Sequence, residues 1–487
     1  MNKNLHISLL CVVLAVVGCT MAPTYTRPVA PIPHAWPSGE VYQANRTATN
    51  APAAQDLNWR KFFTDQKLRQ VIGMALTNNL DLRLAAQNVV EARAKYGIQR
   101  SELLPVVNGS ADRIRERVPT DLSAIGRPYT ASEYDASLGV ASWEIDFFGR
   151  IRSLKNVALQ EYFATEQGCR SAQVSLISSV AGVYLTLAAD RQNLTIAENT
   201  LATQQDSYNL IKHRHDLELV NDLVLQQAQT QVDAARRDVV TYKQIVALDG
   251  NALNLLAGFS VPERLLPASL DDIAPPMAVS AGLPSEVLLT RPDVLQAEAM
   301  LKAANADIGA ARADFFPRIS LTAAIGASSG ELSDLFKSAS GAWSYAPQIV
   351  LPVFDTRTWF ALKASKAQRD LAVTEYQKTI QGAFRDVADA LAIHGTVGQQ
   401  VSAQQSLVDA SAETYRLSSS RYEKGIDSYL SVLDAQRSLF AAQQGLVSLR
   451  RAKLVSQVNL YAVLGGGWQP ESASSPTAGS LAEHSSK

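Results

Sequence analysis

The chain has 487 residues, 47% hydrophobic and 19% charged, which supplies apolar material for a large core and excludes disorder of the whole. Lysine plus arginine (45) and aspartate plus glutamate (46) nearly cancel and no polybasic run occurs, so the electrostatic footprint of a nucleic-acid binder is absent. Three cysteines cannot supply a disulfide framework: Cys11 and Cys19 belong to an N-terminal segment with its own logic, and the lone Cys169 reads as a small buried apolar residue.

Residues 1–18 read as a lipoprotein signal peptide. Lys3 precedes an apolar run from Ile7 to Val17 that is too short to span a bilayer but long enough for a signal-peptide core. The run ends at Val16-Val17-Gly18-Cys19, the pattern of a lipobox with valine where leucine is usual, so Cys19 is expected to become a lipid-modified N-terminus. Thr20, rather than Asp, follows it, as in lipoproteins sorted to the outer membrane. Prolines 23, 28, 31 and 33 make 19–57 an extended, lipidated tether. Beyond Cys19 no uninterrupted run of 18 apolar residues occurs, which leaves a closed β-barrel as the remaining route through a membrane.

The body of the chain is an internal duplication. Residues 81–105 align without gaps on 293–317, with identities at Asp81/Asp293, Ala85/Ala297, Ala92/Ala304, Ala94/Ala306, Gly97/Gly309, Arg100/Arg312 and Pro105/Pro317. A second block puts Tyr208, Arg214, Leu223, Ala228 and Gln229 on Tyr415, Arg421, Leu430, Ala435 and Gln436. Each half therefore repeats one order of elements. Residues 58–104 hold a first segment and a helix over 66–104, and 105–143 form a hairpin with strands at about 106–117 and from Tyr134. Residues 144–257 are a long helical hairpin, 258–284 a proline-rich connector, and 285–316 one helix. Then 317–353 is a second hairpin, 354–464 a second helical hairpin, and 465–487 a disordered Gly/Ser/Pro tail.

The strands alternate with period two, as Ile319, Leu321, Ala323 and Ile325 do against Ser320, Thr322, Ala324 and Gly326. In the last strand Trp343, Tyr345, Ile349, Leu351 and Val353 alternate with Ser344, Ala346 and Gln348. At about ten residues each the strands suit a tilted membrane crossing, although a soluble β-layer packed on helices has the same alternation. Four strands cannot close a water-filled barrel, so in a membrane closure must come from other copies of the chain. The outgoing helices, Phe148 to about Arg214 and Phe354 to about Glu423, run to roughly 100 Å, wider than any globular core. Their spacing marks a coiled-coil seam at Leu176, Val180, Val183 and Leu187, and at Leu371, Ile380, Phe384, Val387 and Leu391. The returns are expected over Asp222–Leu256 and Tyr429–Leu464, and the connector and the segment 57–66 are expected to lie together.

Several stretches together resemble the TolC-like outer-membrane efflux channels, in their lipoprotein, OprM-like branch. They are Trp59-Arg-Lys-Phe-Phe, Asn79-Leu-Asp-Leu-Arg83, Glu144-Ile-Asp-Phe-Phe-Gly-Arg150, Arg291-Pro-Asp293, Ile308 to Thr322, Gly425 to Gln436, and Asn459 to Trp468. The resemblance covers nearly the whole mature chain. It implies a mixed α and β fold: a homotrimer whose four strands per chain make a twelve-stranded outer-membrane β-barrel, continued by a long α-helical coiled-coil tunnel. It further implies a lipid-anchored exit duct of a tripartite pump, reaching into the periplasm of a Gram-negative bacterium and partnered by a periplasmic adaptor and an inner-membrane transporter. The cargo implied is small toxic compounds, drugs or other amphiphiles, with metal ions as an alternative; no cofactor is expected beyond the covalent lipid on Cys19.

Gly425 suits a helix C′ position and Ser428 an N-cap, and Leu430 and Asp434 lie one turn apart on one helix face. The resemblance makes Leu430 and Asp434 the constriction of the periplasmic entrance and Arg421 a tie between the tip helices, with Arg214, Leu223 and Asp427 as further tip residues. The first half departs: Asn221 replaces the Ser cap, Glu218 stands for Gly425, and Gln227 for Asp434. Asp434 also fits an ordinary first-turn acid facing the helix dipole. No enzyme constellation is legible, and His213 and His215, two residues apart, diverge on a helix, so no metal site is expected. A periplasmic coiled-coil adaptor remains the rival reading; it should show one helical hairpin with lipoyl-type flanks, where this chain has two hairpins related by duplication.

Overall fold

The computed structural model describes residues 20–42, 51–281 and 284–468. The expected signal peptide with Cys19 lies outside the described residues, as does 469–487 of the expected tail. In chain order the elements are α1 (Trp59–Phe62), α2 (Gln66–Asn78), α3 (Leu80–Ser101), β1 (Val107–Val118), β2 (Tyr129–Glu144), α4 (Arg150–Asp216) and α5 (Asp222–Ala257). There follow α6 (Pro284–Leu288), α7 (Pro292–Ala313), β3 (Arg318–Ser329), β4 (Gly341–Val350), α8 (Thr356–Glu423) and α9 (Tyr429–Val463). The protein is thus mixed α and β, mostly helical, with four strands. The described residues fall into two compact units: one of residues up to 29 with 88–166 and 296–376, the other of 30–87, 167–295 and 377 onward.

The first unit is built on one antiparallel sheet in the order β1-β2-β3-β4, so β1 and β4 are its edges. Cross-strand partners share a face, and the register sorts the side chains by polarity. One face carries rows of apolar residues: Val107, Val140, Ala323 and Tyr345; Gly109, Leu138, Ile325 and Trp343; Ala111, Ala136, Ala327 and Gly341. The other pairs Ser110 with Ser137, hydroxyls 3.0 Å apart, and Asp112 with Asp135. The β2–β3 register shifts between Val140 and Trp143, where Ser142 takes φ 53 and its N–H donates to Thr322 Oγ1 at 3.1 Å. Strand β4 stops at Val350, so Leu351 and Val353 do not continue its alternation. Pro352 between them has no N–H for a ladder and pushes the chain out of it.

The Glu144-to-Arg150 motif makes the turn from β2 into α4. Glu144 accepts from Arg150 through both carboxylate oxygens, at 2.9 and 2.8 Å, and Asp146 caps the helix by accepting from the N–H groups of Ile151 and Arg152 at 3.2 and 2.9 Å. In the second half Asp355 does the same for Arg357 N, at 2.9 Å. Residues 20–29 are extended, as their prolines require, and they are docked on α7. Glu298 accepts from Arg27 (3.0 and 2.7 Å) and from the Tyr25 hydroxyl (3.1 Å), while Asn305 and Arg312 donate to the carbonyls of Pro23 and Met21. Burial disfavours the charge on Glu298, but Arg27 and Lys302 overcome it and hold its carboxyl below the ordinary range.

In the second unit the Trp59-to-Phe63 motif is core: Phe62 is fully buried and stacks on Tyr461 at 3.9 Å, whose hydroxyl donates to Leu57 O at 2.5 Å. The connector lies against this segment, with Met277 N donating to Phe62 O and the Thr64 hydroxyl donating to Pro275 O. Arg291 donates to both oxygens of Asp293 and to Val463 O, tying the start of α7 to the end of α9. Gly258 ends α5 at φ 79 with Asn78 O only 2.5 Å from where a Cβ would stand, so this turn requires glycine.

Several expectations are corrected. The helix expected over 66–104 is two, because Asn79 leaves helical geometry (ψ 128) and caps α3, its Oδ1 accepting from Leu82 N at 2.9 Å. The helix expected over 285–316 is also two, because Arg291 precedes Pro292 and a pre-proline residue disfavours the α region, while the proline opens α7. Leu371 is 64% exposed rather than in the seam: nine residues separate it from fully buried Ile380, half a turn out of phase, and Tyr376 takes its place at 0%. Cys169 is half-buried, and that burial raises its thiol pKa. Finally, α4 holds an 18-residue window apolar enough, by length and composition, to cross a membrane, which a search for uninterrupted apolar runs passes over. Of that window 44% is buried inside the chain, and seam residues Leu176, Val180 and Leu187 of the same helix are core.

Candidate functional site

The two helical turns of the second unit, 217–221 between α4 and α5 and 424–428 between α8 and α9, meet over a small core. Ile211, Ala228, Tyr429, Val432 and Leu433 are buried there, with Tyr208, Val224, Leu225, Tyr415 and Tyr422 packed around them. All four long helices contribute, so the tips are fixed to one another by apolar contact rather than by surface charge. The tyrosines are the part of this site that sequence reasoning missed. Tyr415 and Tyr422 repeat one heptad position along α8, a signal that was legible in the sequence, whereas Tyr429 opens α9 on the far side of the turn. Tyr422 and Tyr429 have ring centroids 5.3 Å apart, and burial pushes the Tyr429 hydroxyl up to about 12.

Both turns close by the same hydrogen-bond pattern. In the second, Ile426 N donates to Arg421 O and Gly425 N to Tyr422 O, both at 2.9 Å, with Gly425 at φ 70; this is the C-terminal motif that glycine favours. In the first, Leu219 N donates to Arg214 O at 2.9 Å and Glu218 N to His215 O at 2.8 Å, with Glu218 itself at φ 60. Asn221 caps α5 through Val224 N at 3.2 Å. Ser428 occupies the N-cap position of α9, but its side chain makes no capping hydrogen bond, contrary to expectation; its backbone carbonyl accepts from Ser431 N instead.

Arg421 donates to both oxygens of Asp427, Nε at 2.5 Å and Nη2 at 3.0 Å, bracing the end of α8 against the turn that leads into α9. The guanidinium holds the Asp427 carboxyl below the usual carboxylate range. Arg214 lies 5.5 Å over the ring of Tyr422, so it links the first turn to the second hairpin. Leu430 (52% exposed) and Leu223 (63% exposed) stay outside the apolar cluster, each on the first turn of its helix. Asp434 follows Leu430 by one turn, largely exposed, with Arg437 Nη1 3.8 Å away. The structure therefore joins Arg421 with Asp427 and Arg214 with Tyr422, and leaves Leu430, Asp434 and Leu223 facing outward. His215 pairs with Asp222 at 2.7 Å, apart from His213, and no metal-holding group of His, Cys, Asp and Glu occurs among the described residues.

The sequence profile of the family described as outer membrane efflux protein matches residues 71–259 and 283–466. The antibiotic efflux pump outer membrane protein ArpC of Pseudomonas putida is 45% identical over 471 residues, covering 96% of each chain. The toluene efflux pump outer membrane protein TtgF of the same species is 46% identical over 469 residues, 96% of this chain and 97% of that one. Among solved structures, the open state of the Neisseria gonorrhoeae MtrE outer membrane channel superposes with a TM-score of 0.83 at 35% identity, covering 93% of this chain and 99% of that one.

Proposed function

The chain belongs to the outer membrane efflux protein family, and from that premise we propose that it is the outer-membrane exit channel of a tripartite efflux pump. It would conduct small toxic compounds passively, handed on by an inner-membrane transporter through a periplasmic adaptor. Antibiotic and toluene export by the relatives favours apolar or amphiphilic organic cargo over metal ions. One observation carries the membrane reading: a four-stranded sheet with two open edges and one exposed apolar face. Unpaired edges are prohibitive in hydrocarbon, so such a sheet enters a bilayer only when other copies complete it. Three copies about one axis give twelve strands, and the acyl chain proposed on Cys19 adds a second attachment.

At the tip, Leu430 and Asp434 are exposed one turn apart on α9, while Tyr422 and Tyr429 at the two ends of the turn are packed in the apolar cluster. Around a three-fold axis they would form an apolar ring and a carboxylate ring across the periplasmic mouth, with the Arg421–Asp427 pair holding each turn in place. Planar-bilayer recording tests this reading. Leu430→Ala, alone or with Arg421→Ala, should raise conductance, and Asp434→Ala should lower cation preference, in particles whose mass remains that of a trimer. Variants that conduct and select like the parent would move the constriction elsewhere.

A further inference from the structure

We propose that Arg113, Arg115 and Arg117 of β1 form a binding site for the phosphate groups of outer-leaflet lipid headgroups, an inference that rests on the membrane-barrel reading above. The cross-strand register places these side chains on the apolar face: Arg113 opposite Tyr134, Arg115 opposite Ser132 and Arg117 opposite Thr130, directly above the row of Ala111 and Ala136. They stand at the end of the sheet next to the 119–128 loop, whereas α3 and α4 join β1 and β2 at the other end. The apolar rows below them continue down to Ile319 and Ile349, which fits the roughly 25 Å apolar band of an outer-membrane barrel. The arginines thus lie just past the hydrocarbon on its outer side.

The carboxylates of this sheet are confined to one face, which also carries Arg318, paired with Asp314. Every strand carboxylate, Asp112, Glu116, Glu133, Asp135 and Glu144, falls on the opposite face. All three arginines are exposed, and none enters an ion pair with a described residue. Arg113 lies 5.2 Å over the ring of Tyr134, an aromatic at interfacial height that holds the guanidinium outward. Cationic side chains aimed at a bilayer are costly unless they reach an anionic layer. No strand carboxylate lies on this face to take that role, so the anionic layer assigned to the arginines is lipid. Guanidinium forks match phosphate oxygens in pairs, and successive arginines about 7 Å apart along the strand can each take a separate phosphate.

Native mass spectrometry of the purified assembly in detergent tests the site, with three probes: bisphosphorylated lipid A, the same lipid stripped of phosphate, and inorganic phosphate. The parent should bind the phosphorylated lipid at least tenfold more tightly than the stripped one, and excess inorganic phosphate should not displace it. The triple variant R113Q/R115Q/R117Q should lose that preference while keeping the parent's mass and strand content. Glu116→Gln, on the opposite face of the same strand, should keep it. If the triple variant fails to assemble, Arg115→Gln alone should still lower the preference. Equal binding of the two lipids by the parent, displacement by free phosphate, or an undiminished preference in the arginine variants would overturn the proposal. A particle that is not a trimer would instead refute the channel reading itself.

Discussion

Asp249 of α5 shows how one side chain can set a pH response. It is half-buried beside Asp190 of α4, and its Oδ2 has no hydrogen-bond partner. Burial first, then the neighbouring Asp190, raise its pKa from 3.8 to about 6, with Arg451 opposing. A carboxyl whose folded pKa is raised is penalised when it ionises in the folded state. Its contribution to stability is therefore complete below its unfolded value of 3.8, declines as pH rises toward about 6, and is least above that. Asp249→Asn removes the charge at nearly constant shape, so it should raise the thermal midpoint near pH 8 and leave it unchanged near pH 4. A variant with the parent's midpoint at both values would dismiss the effect. Nothing in the sequence marked these two aspartates, which sit on different helices and meet only through packing. Arg421 and Asp427, by contrast, were both singled out by the family resemblance, and the structure adds that they pair across one short turn.

The two tip turns make a controlled comparison at the scale of an element, since the duplication gives them the same hydrogen bonds with different residues at the left-handed position. Gly425 adopts φ 70 freely, whereas Glu218 at φ 60 carries the Cβ clash that L-residues meet there. Glu218→Gly should stabilise the first turn by about 1 kcal/mol, read as roughly fivefold slower hydrogen exchange of the amides of 217–221. Unchanged exchange would mean that Glu218 gains a compensating contact in the assembly. Repeat, proline and glycine signals made the order of strands and long helices legible, because each acts locally. The breaks at Asn79 and before Pro292 carry their own local signals, an Asn cap and a pre-proline residue, but the apolar helical pattern on either side reads through both as one helix. Leu371 fell out of the seam for a related reason: an apolar residue half a turn out of phase looks like a seam residue until its partner helix is known.

For the whole molecule, the informative property is that every strand carboxylate lies on one face of the sheet, which the sequence showed only as alternation. Which face meets lipid follows from the apolar rows, and the other face must then line the water-filled lumen. That face bears Asp112 directly opposite Asp135, with Glu116 and Glu133 on the same two strands, and Glu133 accepts from the Ser328 hydroxyl at 3.1 Å. Cyclic closure would triple this set around one axis, so the barrel itself should favour cations independently of Asp434 at the tip. The two contributions can be separated. Asp434→Ala should lower the cation-to-anion permeability ratio only in part, and Asp112→Asn with Asp135→Asn should lower it further in the same channel. The substituted side chains are solvated and keep their size, so trimer mass and strand content should not change. Reversal-potential measurements under a salt gradient decide the matter: if Asp112→Asn with Asp135→Asn leaves the ratio of an open channel untouched, these carboxylates do not face the conducting lumen, and the assignment of the two faces, with the arginine site that depends on it, is inverted.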